Sequence, residues 1–241
     1  MMAQRKNKKA VFKFDNETML LSSKTSFATL EAFKTLRTNV IFSLPGNGCK
    51  TIGVTSGNRS EGKSLTSINL ALSFAQLGKR VIIIDCDLRI PSIAAKLNIP
   101  NNDGLSNYLV GTSNDDNLNI VEFGDPSISV VTSGSIPPDP TSLLSSEAMK
   151  KMISILKNYY DYIILDFPPV SLVTDAVLLS DVVDGYLVVV RQNSSEFSRI
   201  NETIYQMEFA NANVIGFVYN AKVMDGFGKQ SKYYKYYKEY K

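Results

Sequence analysis

The 241-residue sequence contains no histidine and no tryptophan, and it has only two cysteines. Without histidine the chain cannot carry a Ser-His-Asp triad, a Cys-His protease pair or a histidine zinc site. Cys49 and Cys86 lie far apart without metal-ligand spacing, which predicts a reducing compartment. No apolar run approaches the roughly 18 residues of a spanning helix, and the N-terminus is polar, so neither a membrane span nor a secretory signal is expected.

The sequence also has little net charge. The formal net charge is +3, and the most basic stretches are the two ends. The region between them is therefore not a broad basic surface of the kind that binds nucleic acid, and no nucleic-acid partner is predicted. A hydrophobic content of 44% is ordinary for a globular α/β domain with a substantial core.

One stretch carries a recognisable chemical pattern. Residues 57–64 read Gly-Asn-Arg-Ser-Glu-Gly-Lys-Ser, between a β-rich run at 51–55 and a helical run at 65–77. Glycines let successive backbone N–H groups point at phosphate oxygens, and the helix start adds its own unpaired N–H groups. Lys63 is expected to reach the β- and γ-phosphates of a nucleotide and Ser64 to bind Mg²⁺. The predicted nucleotide-binding residues are Gly57, Asn58, Arg59, Ser60, Glu61, Gly62, Lys63, Ser64 and Leu65.

Strand-like and helical runs alternate through the rest of the chain. Buried strands are predicted at 81–84, 128–132, 162–165, 187–190 and 214–219. Helices are predicted at 26–44, 105–110, 142–159 and 196–210, and residues 112–127 are expected to form a loop. This alternation predicts an α/β fold of the P-loop NTPase type, a doubly wound, mostly parallel sheet with helices on both faces.

The composition divides the chain into three parts. Residues 1–25 are predicted to form a flexible basic arm, and residues 26–222 the P-loop domain, which opens with a helix at 26–45. Residues 223–241 lose aliphatic side chains and become rich in lysine and tyrosine, which predicts a disordered tail.

Three aspartates end predicted strands. Asp85 and Asp87 follow one strand and Asp166 ends another, and both strands are expected to flank the P-loop strand. Because ligands of open α/β sheets bind beyond the carboxyl ends of the strands, these side chains are expected to meet at the phosphates. Asp87 and Asp166 would anchor Mg²⁺ through water, and Asp85 would accept the proton of an incoming hydroxyl. With Lys63, Asp85 and Asp87 are the predicted catalytic residues.

Together these segments resemble the bacterial protein tyrosine kinases, and most closely the cytoplasmic kinase subunits of capsule and exopolysaccharide assembly systems. The P-loop corresponds to the family's Walker A segment, Asp85 to Pro91 to A′, and Asp166-Phe-Pro-Pro169 to Walker B. The chain departs from the family at Arg59-Ser60, where a Pro-Gly pair is usual, and at Lys34, where an arginine is usual. The resemblance implies an ATP- and Mg²⁺-dependent protein tyrosine kinase. One copy would phosphorylate the C-terminal tyrosines of another, and the kinase would regulate capsule or exopolysaccharide synthesis and export.

The resemblance also implies partners. The helix residues Glu31, Lys34 and Arg37 match a motif that joins neighbouring subunits into a homo-oligomeric ring, which could be an octamer, and Asn220 is implied to read the base. A transmembrane adaptor would activate the kinase and hold it at the inner face of the cell membrane, and a cognate tyrosine phosphatase would reverse the modification. The implied phosphoacceptors are Tyr233, Tyr234, Tyr236, Tyr237 and Tyr240.

Other functions are compatible with parts of the pattern. A positioning ATPase of the Min or Par kind has the same fold, but it carries a lysine where this P-loop has Asn58, and it lacks a tyrosine cluster. A lysine- and tyrosine-rich tail can also bind single-stranded nucleic acid by stacking and phosphate contacts. A catalytically idle scaffold is the third alternative, because the P-loop is altered at Arg59-Ser60.

Overall fold

The computed structural model describes residues 19–22, 24–113 and 117–221. The helices of this part are α1 (Phe27–Ser43), α2 (Lys63–Ala75), α3 (Ile93–Leu97), α4 (Leu105–Leu109), α5 (Pro140–Leu144), α6 (Glu147–Leu156) and α7 (Phe197–Phe209), with a 3-10 turn at Val177–Leu179. The strands are β1 (Lys50–Ser56), β2 (Val81–Asp85), β3 (Val121–Phe123), β4 (Ile128–Val131), β5 (Tyr162–Asp166), β6 (Gly185–Arg191) and β7 (Val214–Asn220). The predicted tail and its five tyrosines lie outside the described residues.

The seven strands of the described part form one sheet in the order β3-β4-β2-β5-β1-β6-β7. Every neighbouring pair is parallel except β3 and β4, so the predicted P-loop NTPase fold with a mostly parallel sheet is confirmed. The P-loop strand β1 lies between β5 and β6. The expectation that both acid-bearing strands flank β1 was wrong for β2, because β5 separates the two.

Helices cover both faces of the sheet. One hydrophobic cluster joins the sheet to α1, α2 and α3, and the other joins it to α4, α5, α6 and α7. The central strands β2 and β5 each contain a continuous run of buried aliphatic residues before a final aspartate, as a parallel sheet covered on both faces requires. No helix in the described ranges is both long and apolar enough to cross a membrane.

Helix α1 begins after Ser26, whose side chain accepts a hydrogen bond from the Thr29 N–H. Val40 and Leu44 pack against the sheet and α2, as their helical spacing predicts. The helical spacing alone leaves Arg37 open to either face of α1, the apolar face with Val40 or the opposite face with Glu31 and Lys34. Arg37 is only 8% exposed, and its guanidinium donates to the backbone carbonyl of Ser73 near the end of α2.

Two local predictions were wrong. The helix predicted at 142–159 is two helices, α5 and α6, which Ser145 and Ser146 separate. Ser146 accepts a hydrogen bond from the Met149 N–H and so starts a new helix instead of continuing the old one. The loop predicted at 112–127 contains β3, a three-residue strand that pairs antiparallel with β4 at the sheet edge.

The described residues before α1 contact the domain. Asn69 of α2 accepts a hydrogen bond from the Leu21 N–H (2.8 Å) and donates to the Met19 carbonyl (3.0 Å). Leu21 is buried in the same cluster as α1 and α2. Contacts with the domain therefore begin by residue 19, before the predicted boundary at residue 26.

Candidate functional site

The P-loop turns tightly into α2. Ser60 and Gly62 both have positive φ angles, of 63° and 96°, and α2 begins at the next residue, Lys63. A Cβ atom on Gly62 would lie 2.1 Å from the Asn220 side-chain nitrogen, so only glycine fits there without displacement. The loop therefore has the backbone shape that turns N–H groups toward a phosphate.

The buried side chain of Glu61 stabilises the conformation of the P-loop through hydrogen bonds. Its side chain is buried and accepts hydrogen bonds from the Asn58 N–H and from the Ser195 hydroxyl. The Arg191 guanidinium donates to the Ser60 carbonyl at 2.7 Å. Because Arg191 and Ser195 belong to the end of β6 and the loop that follows, the neighbouring strand supports the P-loop.

Asn220, at the end of β7, also lies on the P-loop. Its amide donates to the Glu61 carbonyl at 2.9 Å. The side chain that the resemblance assigns to base recognition therefore holds the loop backbone in this structure, and base recognition by Asn220 stays a prediction.

Lys63 is paired with Asp87. The Lys63 ammonium lies 2.9 Å from Asp87 Oδ2, and both side chains are largely buried. Burial alone would lower the pKa of Lys63, but the carboxylates of Asp166 and Asp87 outweigh it and raise that pKa. Lys63 therefore stays charged, as a phosphate-binding lysine must.

Asp85 is fully buried beside Asp166, its neighbour in the parallel register of β2 and β5. Its two oxygens accept the N–H groups of Asp87 (3.2 Å), Ser92 (3.2 Å) and Ile93 (3.1 Å). Burial and the adjacent Asp166 carboxylate raise the pKa of Asp85 to about 7. Such a group can ionise near neutral pH and still accept a proton, which is the property of a general base.

Asp166 ends β5 directly beside the P-loop strand. Its Oδ1 accepts a hydrogen bond from the Ser67 hydroxyl at 3.0 Å, and burial raises its pKa against the opposing effect of Lys63. Its Oδ2 is buried and has no hydrogen-bond partner in the described part of the chain. Ser64 lies nearby, and its hydroxyl shares a 2.8 Å hydrogen bond with the Ser92 hydroxyl.

These groups fit a magnesium ion that is bound together with a nucleotide. Mg²⁺ takes one or two protein oxygens and otherwise keeps water and phosphate ligands. The Ser64 hydroxyl and the unpartnered Asp166 Oδ2 are donors of this type. Within residues 19–22, 24–113 and 117–221, no three acidic or cysteine side chains are grouped closely enough to hold a metal by themselves.

The structure brings together part of the predicted set. The P-loop, Asp85, Asp87, Asp166 and Asn220 surround one end of the sheet. The helix residues Glu31 and Lys34 form an exposed 2.7 Å ion pair on α1, outside this site. The predicted site did not include Ser67 and Ser92. Ser67 could have been found from the sequence, because it follows Ser64 by three residues and so shares its face of α2.

Comparison with known proteins agrees with this geometry. A family model for ParA, described as the NUBPL iron-transfer P-loop NTPase, matches residues 49–240. Tyrosine-protein kinase CpsD of Streptococcus agalactiae serotype III is 37% identical over 193 residues, which cover 80% of this chain and 82% of the relative. Tyrosine-protein kinase YwqD of Bacillus subtilis is 34% identical over 203 residues, 84% of each chain.

Solved structures show the same likeness. The chimerical protein CapA2B2 superposes with a TM-score of 0.78 at 32% identity, over 86% of this chain and 90% of that one. The kinase domain of the Escherichia coli tyrosine kinase ETK superposes with a TM-score of 0.77 at 29% identity, over 81% and 76% of the two chains. The chain therefore belongs to the bacterial tyrosine-protein kinases, a family built on the ParA-type P-loop NTPase fold.

Proposed function

We propose that this tyrosine kinase uses Mg²⁺ and ATP to phosphorylate the C-terminal tyrosines of a neighbouring copy. The observation that carries the proposal is the contact between Asn220 and the P-loop. Asn220 contacts the P-loop, so the lysine- and tyrosine-rich segment follows directly from the nucleotide site. Eleven residues lie between Ala221 and Tyr233, and an extended chain of that length spans at most about 40 Å. This reach supports transfer to tyrosines that are held in the active site of an adjacent copy.

The proposed transfer follows from the charges around the P-loop. Lys63 and the loop N–H groups hold the β- and γ-phosphates, and the Ser64 hydroxyl and Asp166 carboxylate hold the metal ion. When bound, Mg²⁺ neutralises the charge that develops on the transferred phosphoryl group. The tyrosine oxygen bonds to the γ-phosphorus as the bond to ADP breaks, and Asp85 accepts the phenolic proton. Because the N–H groups of Ser92 and Ile93 bond to Asp85 Oδ2, the proposed proton transfer requires both to withdraw from it.

Phosphorylation would reverse the charge of the tail. Residues 229–241 contain five lysines and one glutamate, a net charge of +4. Each phosphate adds about −1.5 to −2, so full modification brings the segment to about −4 to −6. The unmodified, cationic segment is attracted to the acidic site of a neighbouring copy. After phosphorylation the segment is anionic, and the same site repels it. We infer that modification loosens a ring-shaped homo-oligomer, and a modified sample that stays fully oligomeric by light scattering would contradict this.

The proposed cellular role is control of capsule or exopolysaccharide synthesis. The named relatives are tyrosine kinases, and one of the solved structures that superpose on this chain is the chimerical protein CapA2B2. We propose by analogy that a transmembrane adaptor holds this chain at the inner face of the membrane and activates it, and that a tyrosine phosphatase opposes it.

The direct test is incubation with Mg-ATP followed by phosphotyrosine detection. It compares the wild type, Lys63→Met and a chain that ends at residue 231, each with and without a candidate adaptor peptide. Signal is expected in the wild type alone, because the truncated chain keeps the active site and loses the acceptors. A wild type without signal, even with the adaptor peptide, would contradict the proposal, and equal signal in the truncated chain would place the acceptors elsewhere.

A further inference from the structure

One buried carboxylate joins the loops that follow β2 and β5 to the first turn of α5. Asp175 is fully buried, and its Oδ2 accepts the Arg89 Nε–H at 2.9 Å. Its Oδ1 accepts from Arg89 Nη2 at 3.2 Å and from the Thr141 hydroxyl at 3.1 Å. Arg89 Nη2 also donates to Thr141 Oγ1 at 2.8 Å, which closes the network. We refer to these three residues as the Asp175 clamp.

The clamp connects the acidic residues of the site to a separate loop. Arg89 follows Asp87 by two residues, and Asp175 follows Asp166 by nine. Thr141 follows the proline loop, which we define as Gly134–Pro140. A bidentate arginine–carboxylate contact fixes both distance and orientation, so the clamp sets the position of the proline loop relative to the acids.

The other end of the proline loop is also fixed. Asn101 Oδ1 accepts the Gly134 N–H at 3.0 Å, and Asn107 Oδ1 accepts the Ser135 N–H at 3.0 Å. Gly104 packs so closely on this turn that a Cβ atom there would lie 2.5 Å from the Gly134 nitrogen. Because both ends are held, the proline-rich middle of the loop has little freedom to rearrange.

The middle of the loop presents an apolar side chain to solvent. Ile136 is 67% exposed, between two anchored ends and next to Pro137 and Pro138. The loop leaves β4, whose neighbour β2 carries Asp85 at its carboxyl end. Asp139, which is exposed, adds a negative charge on the same loop. An apolar contact beside an acidic group matches a segment in which tyrosines alternate with lysines.

We propose that the proline loop is the docking site for the tyrosine-bearing segment of a second copy, residues 229–241, and that Asp175 is a positioning residue for this loop. The inference rests on the proposed transfer to those tyrosines. Tyrosine rings pack on Ile136 and the prolines, and the flanking lysines lie near Asp139. The clamp therefore affects recognition of the acceptor and leaves nucleotide binding to the P-loop.

The test measures transfer to a synthetic peptide of residues 229–241 and, separately, the affinity for a fluorescent ATP analogue. Thr141→Val removes both clamp hydrogen bonds of that side chain with little change in shape, and Thr141→Ser keeps the hydroxyl as the matched control. Thr141→Val is expected to lower kcat/KM for the peptide about tenfold. Thr141→Ser is expected to remain near the wild type, and both variants are expected to bind the analogue as the wild type does.

A second variant tests the docking surface without touching the clamp. Ile136→Ala, at an exposed position, is expected to raise the KM for the peptide about fivefold with kcat unchanged. Ile136→Ala therefore tests whether the proline loop binds the peptide, even if Thr141→Val does not fold.

The outcomes separate the two proposals. A wild type that does not phosphorylate the peptide overturns the proposed function and this inference with it. A wild type that transfers, with Thr141→Val equal to Thr141→Ser and Ile136→Ala equal to the wild type, overturns the inference alone. Parallel losses of transfer and of analogue affinity in Thr141→Val also overturn it, because the clamp would then serve the nucleotide.

Discussion

Lys63 Nζ lies 2.9 Å from Asp87 Oδ2, so the P-loop lysine is already paired with an acid of the A′ segment. The pair is largely shielded from water, with side-chain exposures of 12% and 6%. Lysine is a compact point charge on a flexible stem, so the same ammonium can move from a carboxylate to a phosphate. Asp166 and Asp87 thus keep Lys63 charged, and the ion pair with Asp87 holds it close to the place where the triphosphate binds.

Lys63→Met is expected to lower phosphate transfer by about a hundredfold or more, because it removes the positive charge that stabilises the transferred phosphoryl group. The measurement is the rate of phosphotyrosine formation at saturating Mg-ATP. Lys79→Met, at an exposed position after α2, is the matched control and is expected to leave the rate unchanged. Equal rates for the two variants would contradict a phosphate-binding role for Lys63.

The nucleotide-free protein is expected to lose stability as the pH rises from about 4 to about 7. The folded-state pKa of Asp85 is about 7, above its ordinary value of 3.8. Between these values the folded protein keeps a proton that the unfolded chain has lost, so the free energy of unfolding falls by a few kcal/mol and then levels off. The pKa of Asp166 is raised as well, which adds a change of the same sign.

Urea denaturation at about pH 5 and about pH 7.5 measures this difference. Asp85→Asn cannot ionise and is expected to reduce the pH dependence. A wild type with a higher free energy of unfolding at the higher pH would show that the Asp85 pKa is not raised.

Gly62→Ala is expected to weaken ATP binding by about tenfold or more through two separable effects. The backbone φ of 96° strains any other residue, and the added Cβ would lie 2.1 Å from the Asn220 amide. The double variant Gly62→Ala/Asn220→Ala removes the collision and keeps the strain, so it is expected to recover only part of the affinity. Titration with a fluorescent ATP analogue distinguishes these contributions, and full recovery in the double variant would rule out backbone strain.

The residues that bind phosphate and metal were easier to predict from the sequence than the residues that hold them in place. The P-loop spacing and the aspartates at strand ends were sufficient to predict the site, because parallel strands bring their carboxyl ends to one edge. Ser195, Arg191 and Asp175 support this edge from distant parts of the chain. Their partners depend on the order of strands and on loop conformations, which spacing along the sequence does not specify.

In the fold, too, long regular patterns were predictable and short or context-dependent features were not. Strands with continuous aliphatic runs were predicted correctly, whereas β3 has three residues and too short a pattern to recognise. The break between α5 and α6 depends on Ser146 acting as a helix cap. The sequence pattern does not show whether a serine in an apolar helical run caps a new helix or lies inside a continuous one. Spacing within α1 left the face of Arg37 open, because the partner that decides it is a carbonyl on another helix.

Arg37 therefore provides a test that separates folding from assembly. Arg37→Ala is expected to lower the free energy of unfolding by about 1.5–3 kcal/mol, because it removes charge-assisted hydrogen bonds to Ser73. Lys34→Ala removes only the exposed pair with Glu31 and is expected to change stability by less than about 0.5 kcal/mol. Urea denaturation of the two variants measures the difference, and light scattering reports their oligomeric state. If Arg37→Ala is as stable as the wild type while assembly is lost, Arg37 acts between copies and not between α1 and α2.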